Sequence, residues 1–240
     1  GEGYSNVGSI LGGNKESIGN PTEGIELLLT IGALCNNAHI KGESIIGDPT
    51  EGSLLVSASK VGINYFDLQA EMPRLKEFPF NSERKMMATV HKSGSKKLIA
   101  IKGAQDVVLA RCTKVMVKGN VVTLTAERRE AILKQNSLFG QQALRVLAFA
   151  MKESSSTPKS VVATQEDLIF VGLQAMIDPP RREVAEVIRR VTTEAGMRVI
   201  MITGDHIETA QAIASELGIK GDAVSGVELD ELTQEEFVKR

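Results

Sequence analysis

Two consecutive prolines, Pro179 and Pro180, divide the chain into stretches with different organisation. Proline fixes φ, has no N–H to donate and restricts the residue before it, so a Pro-Pro pair interrupts both helix and sheet. Strand-like runs follow one another before this point. After it, the pattern changes to helix, apolar strand and helix. We therefore interpret Asp178 to Arg181 as a hinge between two parts of the chain.

The first part has the pattern of a sheet with helices beside it. We predict strands from the strand-like runs RLKEFPF, RKMMATVHK, KKLIAIKG and RVLAFAMK and from the buried-looking run DLIFVGLQAM, with hairpin turns at 93–95 and at Gly119-Asn120. Helical spacing predicts helices over 22–38, from 49 to the residues before Gly62, over 104–112 and over 125–142. Asp48 is expected to cap the second of these.

The second part contains the stretch MITGDHIETAQAIASELG, residues 201–218. An apolar strand over 198–203 is predicted to end in Thr203, Gly204 and Asp205, between helices over 182–195 and 207–217. Anions bind where a parallel strand passes into a helix N-terminus, although Asp205 could simply cap its helix. One strand between two helices leaves both edges unpaired, so we expect a piece of a larger domain. The predicted fold class is α/β: an α+β part with an antiparallel sheet over residues 1–177, then a fragment of a parallel α/β domain over 178–240.

Composition excludes several classes of protein. The net charge is −2, which gives no basic surface for nucleic acid. Apolar runs stop short of the ~18 residues of a membrane helix, and the first residues lack the pattern of a signal peptide. Cys35 and Cys112 have no partner at metal-ligand spacing, so we interpret them as reduced thiols in a cytosolic setting, with a disulfide between them as the alternative.

Two short stretches could bind a nucleotide. Lys102 ends a strand before Gly103, where an ammonium could lie beside a ligand and the missing Cβ could let the ligand approach; the alternative is an ordinary strand-to-helix corner. Phe78 and Phe80 are expected to share a face at period two, with the basic pair Arg84 and Lys85 just beyond, which suits a ring that stacks on a purine with cations near its phosphates. The alternative is two core phenylalanines and a solvated Arg-Lys pair.

Two further charged residues are candidates. Glu51, in the first turn of the second helix, could accept hydrogen bonds from an exocyclic amine, or it could simply favour the helix dipole. Arg145 begins the strand RVLAFAMK, where it could reach a ribose or phosphate, or it could be a surface arginine. The sequence contains no Walker pattern, no Gly-x-Ser-x-Gly and no His–carboxylate cluster for a metal.

The order of these stretches is more specific than any one of them. GDPTEGSLL, FPFNSERKMM, IKGAQDVVLARC, ALRVLAFA, MIDPPR and MITGDHIETAQAIA follow one another as in the cytoplasmic part of P-type cation-transporting ATPases. The chain resembles the second subgroup of that family, and most of all bacterial calcium pumps, over essentially its whole length. The resemblance implies a nucleotide-binding domain over 1–177 and part of a haloacid-dehalogenase-like phosphorylation domain over 178–240.

The resemblance also implies roles for single positions around an adenine nucleotide. In the family pattern Glu51 matches the acid that reaches the adenine, and Phe80 matches the ring that stacks on it. Lys85 matches the lysine just past that ring, and Lys102 and Gly103 match residues that line the purine pocket. Arg145 matches the arginine near the ribose and phosphates. Residues matching the groups that meet the nucleotide when the domains close are Asp178 and Arg181 in the hinge, and Thr203, Gly204 and Asp205 beside the transferred phosphoryl group and the ribose.

The implied cofactors are ATP and Mg²⁺, and the implied reaction is phosphoryl transfer to an aspartate that drives cation transport, with Ca²⁺ the expected ion. The acceptor run Asp-Lys-Thr-Gly-Thr does not occur in this sequence, so no catalytic residue and few Mg²⁺ ligands are expected in it, and the fragment alone should be inactive. Implied partners are the actuator, the rest of the phosphorylation domain and membrane helices, at the cytoplasmic face of a membrane.

Alternative functions are a pump for Na⁺/K⁺ or H⁺ and a non-catalytic nucleotide-binding module. A soluble phosphatase of the dehalogenase type would need an Asp-x-Asp nucleophile, which is missing from this sequence. Two positions depart from the family pattern: Gln105 replaces a proline, and Ser82 replaces an arginine that contacts phosphate.

Overall fold

A computed structural model describes residues 22–41, 44–142, 144–177, 182–203, 207–231 and 233. The helices are α1 (Glu23–Leu34), α2 (Pro49–Ser59), α3 (Tyr65–Glu71), α4 (Gln105–Ala110), α5 (Ala126–Gly140), α6 (Arg182–Thr193), α7 (Ile207–Glu216) and α8 (Gly226–Glu231), with a 3₁₀ turn at Val162–Thr164. The strands are β1 (His39–Lys41), β2 (Ser44–Ile46), β3 (Arg74–Asn81), β4 (Met86–Ser93), β5 (Lys96–Gly103), β6 (Cys112–Val117), β7 (Asn120–Thr123), β8 (Arg145–Ser154) and β9 (Leu168–Met176).

The chain forms two compact units. Described residues up to Leu133 and those of Val146–Met176 make the first, while Lys134–Arg145 and the described residues from Ile177 onward make the second. No helix in the ranges given above is both long and apolar enough to cross a lipid bilayer.

A seven-stranded sheet in the order β3-β4-β5-β8-β9-β6-β7 organises the first unit, beside the small β1-β2 hairpin. Neighbours from β3 to β8 pair antiparallel, as do β6 and β7, whereas β6 and β9 pair parallel. The predicted α/β class is confirmed, but the sheet is mixed rather than wholly antiparallel. The parallel pair arises because β6 and β9 are joined through β7, α5 and β8, a connection long enough to cross over.

Each face of this sheet carries its own core. On one face pack Phe78, Met86, Ala88, Ile99, Ile101, Val108 and Phe170. On the other, α1 and α2 cover Met87, Leu98, Ala100 and Phe149 with Ile31 and Leu54. Because side chains alternate along a strand, β4 and β5 contribute to both cores. Their apolar residues therefore form near-continuous runs, which explains why the sequence KKLIAIKG is so uniformly apolar at its centre.

Local signals place several elements as expected. Asp48 caps α2 by accepting hydrogen bonds from the N–H groups of Thr50 at 2.8 Å and Glu51 at 3.3 Å, with Pro49 in the first turn. The second hairpin turns one residue earlier than predicted, since Val117 pairs with Asn120. The loop is Lys118-Gly119, whose φ angles of 48° and 79° suit the tight turn between twisted strands.

The strand predicted over 198–203 is wrong. The structure gives these residues no strand pairing, and Ile200 and Ile202 are 73% and 93% exposed. A parallel strand is stable only between neighbours, and the described part of the second unit provides none. The flanking helices α6 and α7 form close to their predicted ranges, because helices satisfy their own backbone groups.

Both cysteines are free and buried, each against a different face of the sheet. Burial raises the pKa of the Cys112 thiol to about 12, against a smaller opposite effect of Arg129. The disulfide that the sequence left open is therefore absent, and both sulfurs serve as small apolar groups.

His91 is a buried polar residue on the α1 side of the sheet, 2% exposed. Its Nδ1 lies 3.0 Å from the carbonyl oxygen of Met72, so this nitrogen carries a proton, and its Nε2 lies 2.9 Å from Oγ1 of Thr89. Burial lowers the pKa of His91, the Met72 carbonyl opposes this, and the nearby Arg74 charge lowers it further.

The depressed pKa of His91 predicts a loss of stability in mild acid. Below its ordinary value of 6.5 the unfolded chain binds a proton that the folded chain excludes, so the free energy of unfolding falls as pH drops through that value toward the folded pKa. We expect His91→Gln to cost less stability at about pH 5.5 than at about pH 7.5 in urea titrations. His39→Gln, on the exposed face of β1, is the matched control. An equal cost of His91→Gln at both pH values would contradict the assignment.

Candidate functional site

Glu51 and Lys102 form an ion pair where the start of α2 meets the end of β5. Nζ of Lys102 donates to Oε1 of Glu51, and the two side chains are only 8% and 16% exposed. The residues are 51 positions apart in the sequence, so the fold rather than local structure joins them. Removing one partner of a buried pair leaves an uncompensated charge and costs about 3–5 kcal/mol, so neither group is a passive surface charge.

The carboxylate of Glu51 is held from a second side by the residues after α1. The backbone N–H of Asn37 donates to Oε2 of Glu51 at 3.0 Å. Asn36, which is fully buried, donates through Nδ2 to the carbonyl oxygen of Glu51 at 2.8 Å and accepts from the N–H of Ala38 at 2.8 Å. Each oxygen of the Glu51 carboxylate thus has its own donor, which fixes the orientation of the group.

Phe80 reaches the Lys102 face of the sheet because of a β-bulge. On β3, Phe78 pairs with Ala88 and Asn81 pairs with Met86, so three steps along β3 match two along β4. The extra residue reverses the alternation, and Pro79 and Phe80 both lie opposite Met87, whose side chain shares the face of Lys102.

The expected common face of Phe78 and Phe80 is therefore wrong. Phe78 is buried in the opposite core, with the ammonium of Lys76 4.8 Å from its ring centroid, whereas Phe80 is 60% exposed. An exposed ring at the end of a strand has a free face on which a planar ligand could stack.

Lys85 and Gly103 are joined by the close approach of two chain segments. Lys85 has a φ of 49°, unusual for a residue with a side chain, and its carbonyl oxygen accepts from the N–H of Ala104 at 2.9 Å. A Cβ at Gly103 would overlap that carbonyl oxygen and lie 2.9 Å from Cγ of Met86. Here the glycine lets a neighbouring strand approach, whereas the sequence had suggested room for a ligand.

The turn between β3 and β4 is organised by Asn81. Its Oδ1 accepts from the N–H groups of Glu83 at 3.0 Å and Arg84 at 2.9 Å. The guanidinium of Arg84 donates back to the carbonyl oxygen of Pro79 at 2.9 Å, inside the bulge. The turn that carries Lys85 is thus stiffened by local hydrogen bonds.

Cys35 lies beneath this cluster without contributing a reactive thiol. Burial raises the pKa of Cys35, and the Lys102 charge only partly opposes that effect. Its Sγ lies 3.6 Å from the carbonyl oxygen of Met87, as a weak hydrogen bond. The thiol stays protonated at neutral pH and is not a nucleophile.

Gln105 begins α4 directly after this glycine corner. It is 9% exposed, and within the ranges that the structure describes its Nε2 is the one buried side-chain nitrogen or oxygen without a hydrogen-bond partner. Ala104, which precedes the helix, gives no side-chain cap. A proline, as in the family pattern, would suit the first helical position and would bury no amide there. A looser helix start at this position stays a prediction.

Of the remaining predicted site residues, the structure describes Arg145 and Thr203. Arg145 is the first residue of β8 and is exposed, and Thr203 is exposed after α6. Asp178, Arg181, Gly204 and Asp205 lie outside the described residues. Within the described ranges no three His, Cys, Asp or Glu side chains come together as a metal site.

A separate cavity of about 600 Å³ lies in the second unit, at the C-terminal ends of α6 and α7. Its lining includes Arg189, Met197, Glu216 and Leu217. It shares no residue with the Glu51–Lys102 cluster. Size alone does not make it the site, since none of the candidate nucleotide-binding residues lines it.

Sequence reasoning missed the residues that hold Glu51 in place. The helix predicted over 22–38 included Asn36 and Asn37, whereas α1 ends at Leu34 and leaves both asparagines after it. Arg74 and Glu77 lie in a predicted strand, where they are ordinary polar positions. Two adjacent asparagines after an apolar helix were the available signal, because such residues often satisfy backbone groups where a helix ends.

The family model described as P-type ATPase, cytoplasmic domain N, matches residues 24–183. That match covers most of the chain, and the chain belongs to this family.

Individual relatives agree. Calcium-transporting ATPase 1 of Lactococcus lactis is 46% identical over 217 residues, which are 88% of this chain and 25% of the relative. A calcium-transporting ATPase of Bacillus subtilis is 39% identical over 250 residues, with 99% of this chain and 28% of the relative covered. Calcium-transporting ATPase type 2C member 1 of Homo sapiens is 35% identical over 237 residues, 96% of this chain and 24% of the relative. This chain thus spans about a quarter of the length of the relatives it matches.

The packing at Gly103 predicts a specific sensitivity to a single methyl group. Gly103→Ala should lower the free energy of unfolding by about 1–3 kcal/mol, because the Lys85 carbonyl and Met86 must move. Gly24→Ala, in α1 with nothing within 4 Å of the added Cβ, is the matched control and should be neutral or slightly stabilising. Urea titrations of the two variants measure this difference, and equal effects would refute the close-packing account.

Proposed function

We propose that this chain binds an adenine nucleotide at the cluster of Glu51, Phe80, Lys85, Lys102 and Gly103, as the nucleotide-binding part of a P-type cation pump. The observation that supports it best is the meeting of Glu51 and Lys102 beside Gly103, with the exposed Phe80 ring on the same face of the sheet. These groups come from α2, β3 and β5, and the chain that carries them belongs to the P-type ATPase family.

The side chains suit the parts of ATP. A carboxylate only accepts hydrogen bonds, so Glu51 can receive the exocyclic amine of adenine. The free face of Phe80 can stack on the purine, and the Lys102 ammonium can donate to a ring nitrogen at the same edge. Lys85, at the adjoining turn, is a cation of the kind that pairs with phosphate oxygens. Arg145 is proposed to act near the ribose and phosphates.

We assign residues 1–177 to nucleotide binding and residues 178–240 to part of a phosphorylation domain. Asp178, Arg181, Thr203, Gly204 and Asp205 are proposed to meet the nucleotide when the two parts close. In the longer protein, Mg²⁺ would neutralise phosphate charge, with its ligands mostly supplied by other segments. This chain would orient ATP, and orientation with charge neutralisation accounts for most of the catalysis in such transfers.

The proposal for the longer protein is a pump in which an aspartate of another segment accepts the γ-phosphoryl group and cation movement follows. The ion proposed is Ca²⁺, since the relatives described above are calcium-transporting ATPases. Its partners would be the actuator, the rest of the phosphorylation domain and the membrane helices, with this part at the cytoplasmic face. No Asp-Lys-Thr-Gly-Thr run occurs in this sequence, so the chain alone should take up no phosphate from ATP.

Binding can be tested with ATP and a matched pair of phenylalanine variants. With one partly open pocket we expect a dissociation constant of about 0.1–1 mM for the wild type by NMR titration. Phe80→Ala should weaken binding about tenfold or more, because stacking on an aromatic ring contributes about 1–3 kcal/mol per base. Phe66→Ala removes an equally exposed ring from α3 and should leave the affinity unchanged. Equal affinity in the wild type and Phe80→Ala would remove Phe80 from the site.

A further inference from the structure

Arg74 ties together the segment that follows α1. Its Nη2 donates to the carbonyl oxygens of Leu34, at 3.1 Å, and of Asn36. Its Nη1 donates to Oδ1 of Asn37 at 2.7 Å and to Oε2 of Glu77 at 3.0 Å. One guanidinium therefore donates hydrogen bonds to two carbonyl groups at a helix end and to the Asn37 side chain. A lysine ammonium could not reproduce this set of bonds, because it lacks the planar fork of donors.

The Asn37 side chain is held at both ends. Arg74 donates to its Oδ1, and its Nδ2 donates to Oε1 of Glu77 at 2.8 Å. Arg74 and Glu77 are themselves an ion pair on β3, with side chains 25% and 29% exposed. Partial burial and three mutual hydrogen bonds make this more than an isolated surface pair, so the backbone of Asn37 has a fixed position.

That fixed backbone is what aims the carboxylate of Glu51. The Asn37 N–H donates to Oε2, while Lys102 donates to Oε1. Without the Asn37 donor, the carboxylate could rotate about its last bond and turn both oxygens toward the Lys102 ammonium, the stronger charge nearby. With both donors in place, each oxygen keeps a lone pair directed away from its donor and available to a ligand.

We propose that Arg74, Asn37 and Glu77 are positioning residues that make the site selective for a 6-amino purine. The inference rests on the proposed adenine site and adds the residues that set its choice of base. An amine at that purine position can donate to the aimed carboxylate, whereas the carbonyl oxygen of hypoxanthine would face it as a second acceptor. Selectivity therefore depends on how firmly the Glu51 carboxylate is oriented, and not only on its presence.

Asn37→Ala tests this because the substitution keeps the backbone N–H and removes only the side chain that fixes it. Dissociation constants for ATP and inosine triphosphate are measured by NMR titration in the wild type, Asn37→Ala and Glu51→Gln. We expect the wild type to prefer ATP by about tenfold or more, and Asn37→Ala to reduce that preference about threefold or more, mainly through weaker ATP binding. Glu51→Gln, whose amide can turn either its oxygen or its NH₂ to the base, should abolish the preference.

Two further variants separate positioning from general stability. Arg74→Lys keeps the charge but loses the fork of donors, and it should change the preference in the same direction as Asn37→Ala. Lys96→Met breaks the exposed Lys96–Glu153 pair on β5 and β8, with side chains 62% and 53% exposed, and should leave the preference at the wild-type value. Unfolding midpoints are recorded for every variant.

Three outcomes would overturn the inference. An unchanged ATP preference in both Asn37→Ala and Arg74→Lys would show that the hydrogen bonds among Arg74, Asn37 and Glu77 do not orient Glu51. An equal loss of affinity for both nucleotides would assign these residues a merely structural role. A wild type that binds neither nucleotide would remove the proposed adenine site and this inference with it.

Discussion

The ion pair between Glu51 and Lys102 is the contact on which the candidate site depends. It joins the first turn of α2 to Lys102, the residue before the last of β5. The pair therefore fixes α2 against the sheet at the end of the strands where the other candidate residues lie. A carboxylate and an ammonium this well shielded need each other, because either alone would carry a large desolvation cost. The site is thus built around two charges that already neutralise each other. Glu51 can still accept, and Lys102 can still donate, further hydrogen bonds to a ligand.

Around that pair, two departures from regular sheet geometry set the positions of the neighbours. The bulge in β3 moves Phe80 onto the face of Lys102, and the absence of a side chain at Gly103 lets the Lys85 carbonyl meet the N–H of Ala104. A bulge redirects side chains at the cost of one unpaired residue, which is why bulges are common beside functional sites. Both departures occur at the same end of the β3-β4-β5 ladder, since Asn81 pairs with Met86 and Met86 with Gly103.

Much of the architecture follows from local signals in the sequence. Strand-like runs predicted β3, β4, β5, β8 and β9, and Asp48-Pro49 marked the start of α2, because these patterns depend on the residues themselves. The motifs also named Glu51, Phe80 and Lys102 as candidates. What could not be predicted depends on register or on distant partners: the one-residue shift in β3, the parallel pairing of β6 with β9, and the tie between Arg74 and Asn37. The strand expected over 198–203 was wrong for the same reason, since an apolar run does not by itself supply a neighbouring strand.

The central claim is that adenine lies against Phe80 and beside Gly103, and intermolecular NOEs measure this directly. The experiment uses the isotope-labelled chain with unlabelled ATP and selects contacts from the adenine H2 and H8 protons. The account predicts NOEs to the ring protons of Phe80 and the Hα protons of Gly103. Adenine contacts to Met197 and Leu217, in the cavity at the ends of α6 and α7, with none to Phe80 or Gly103, would contradict it.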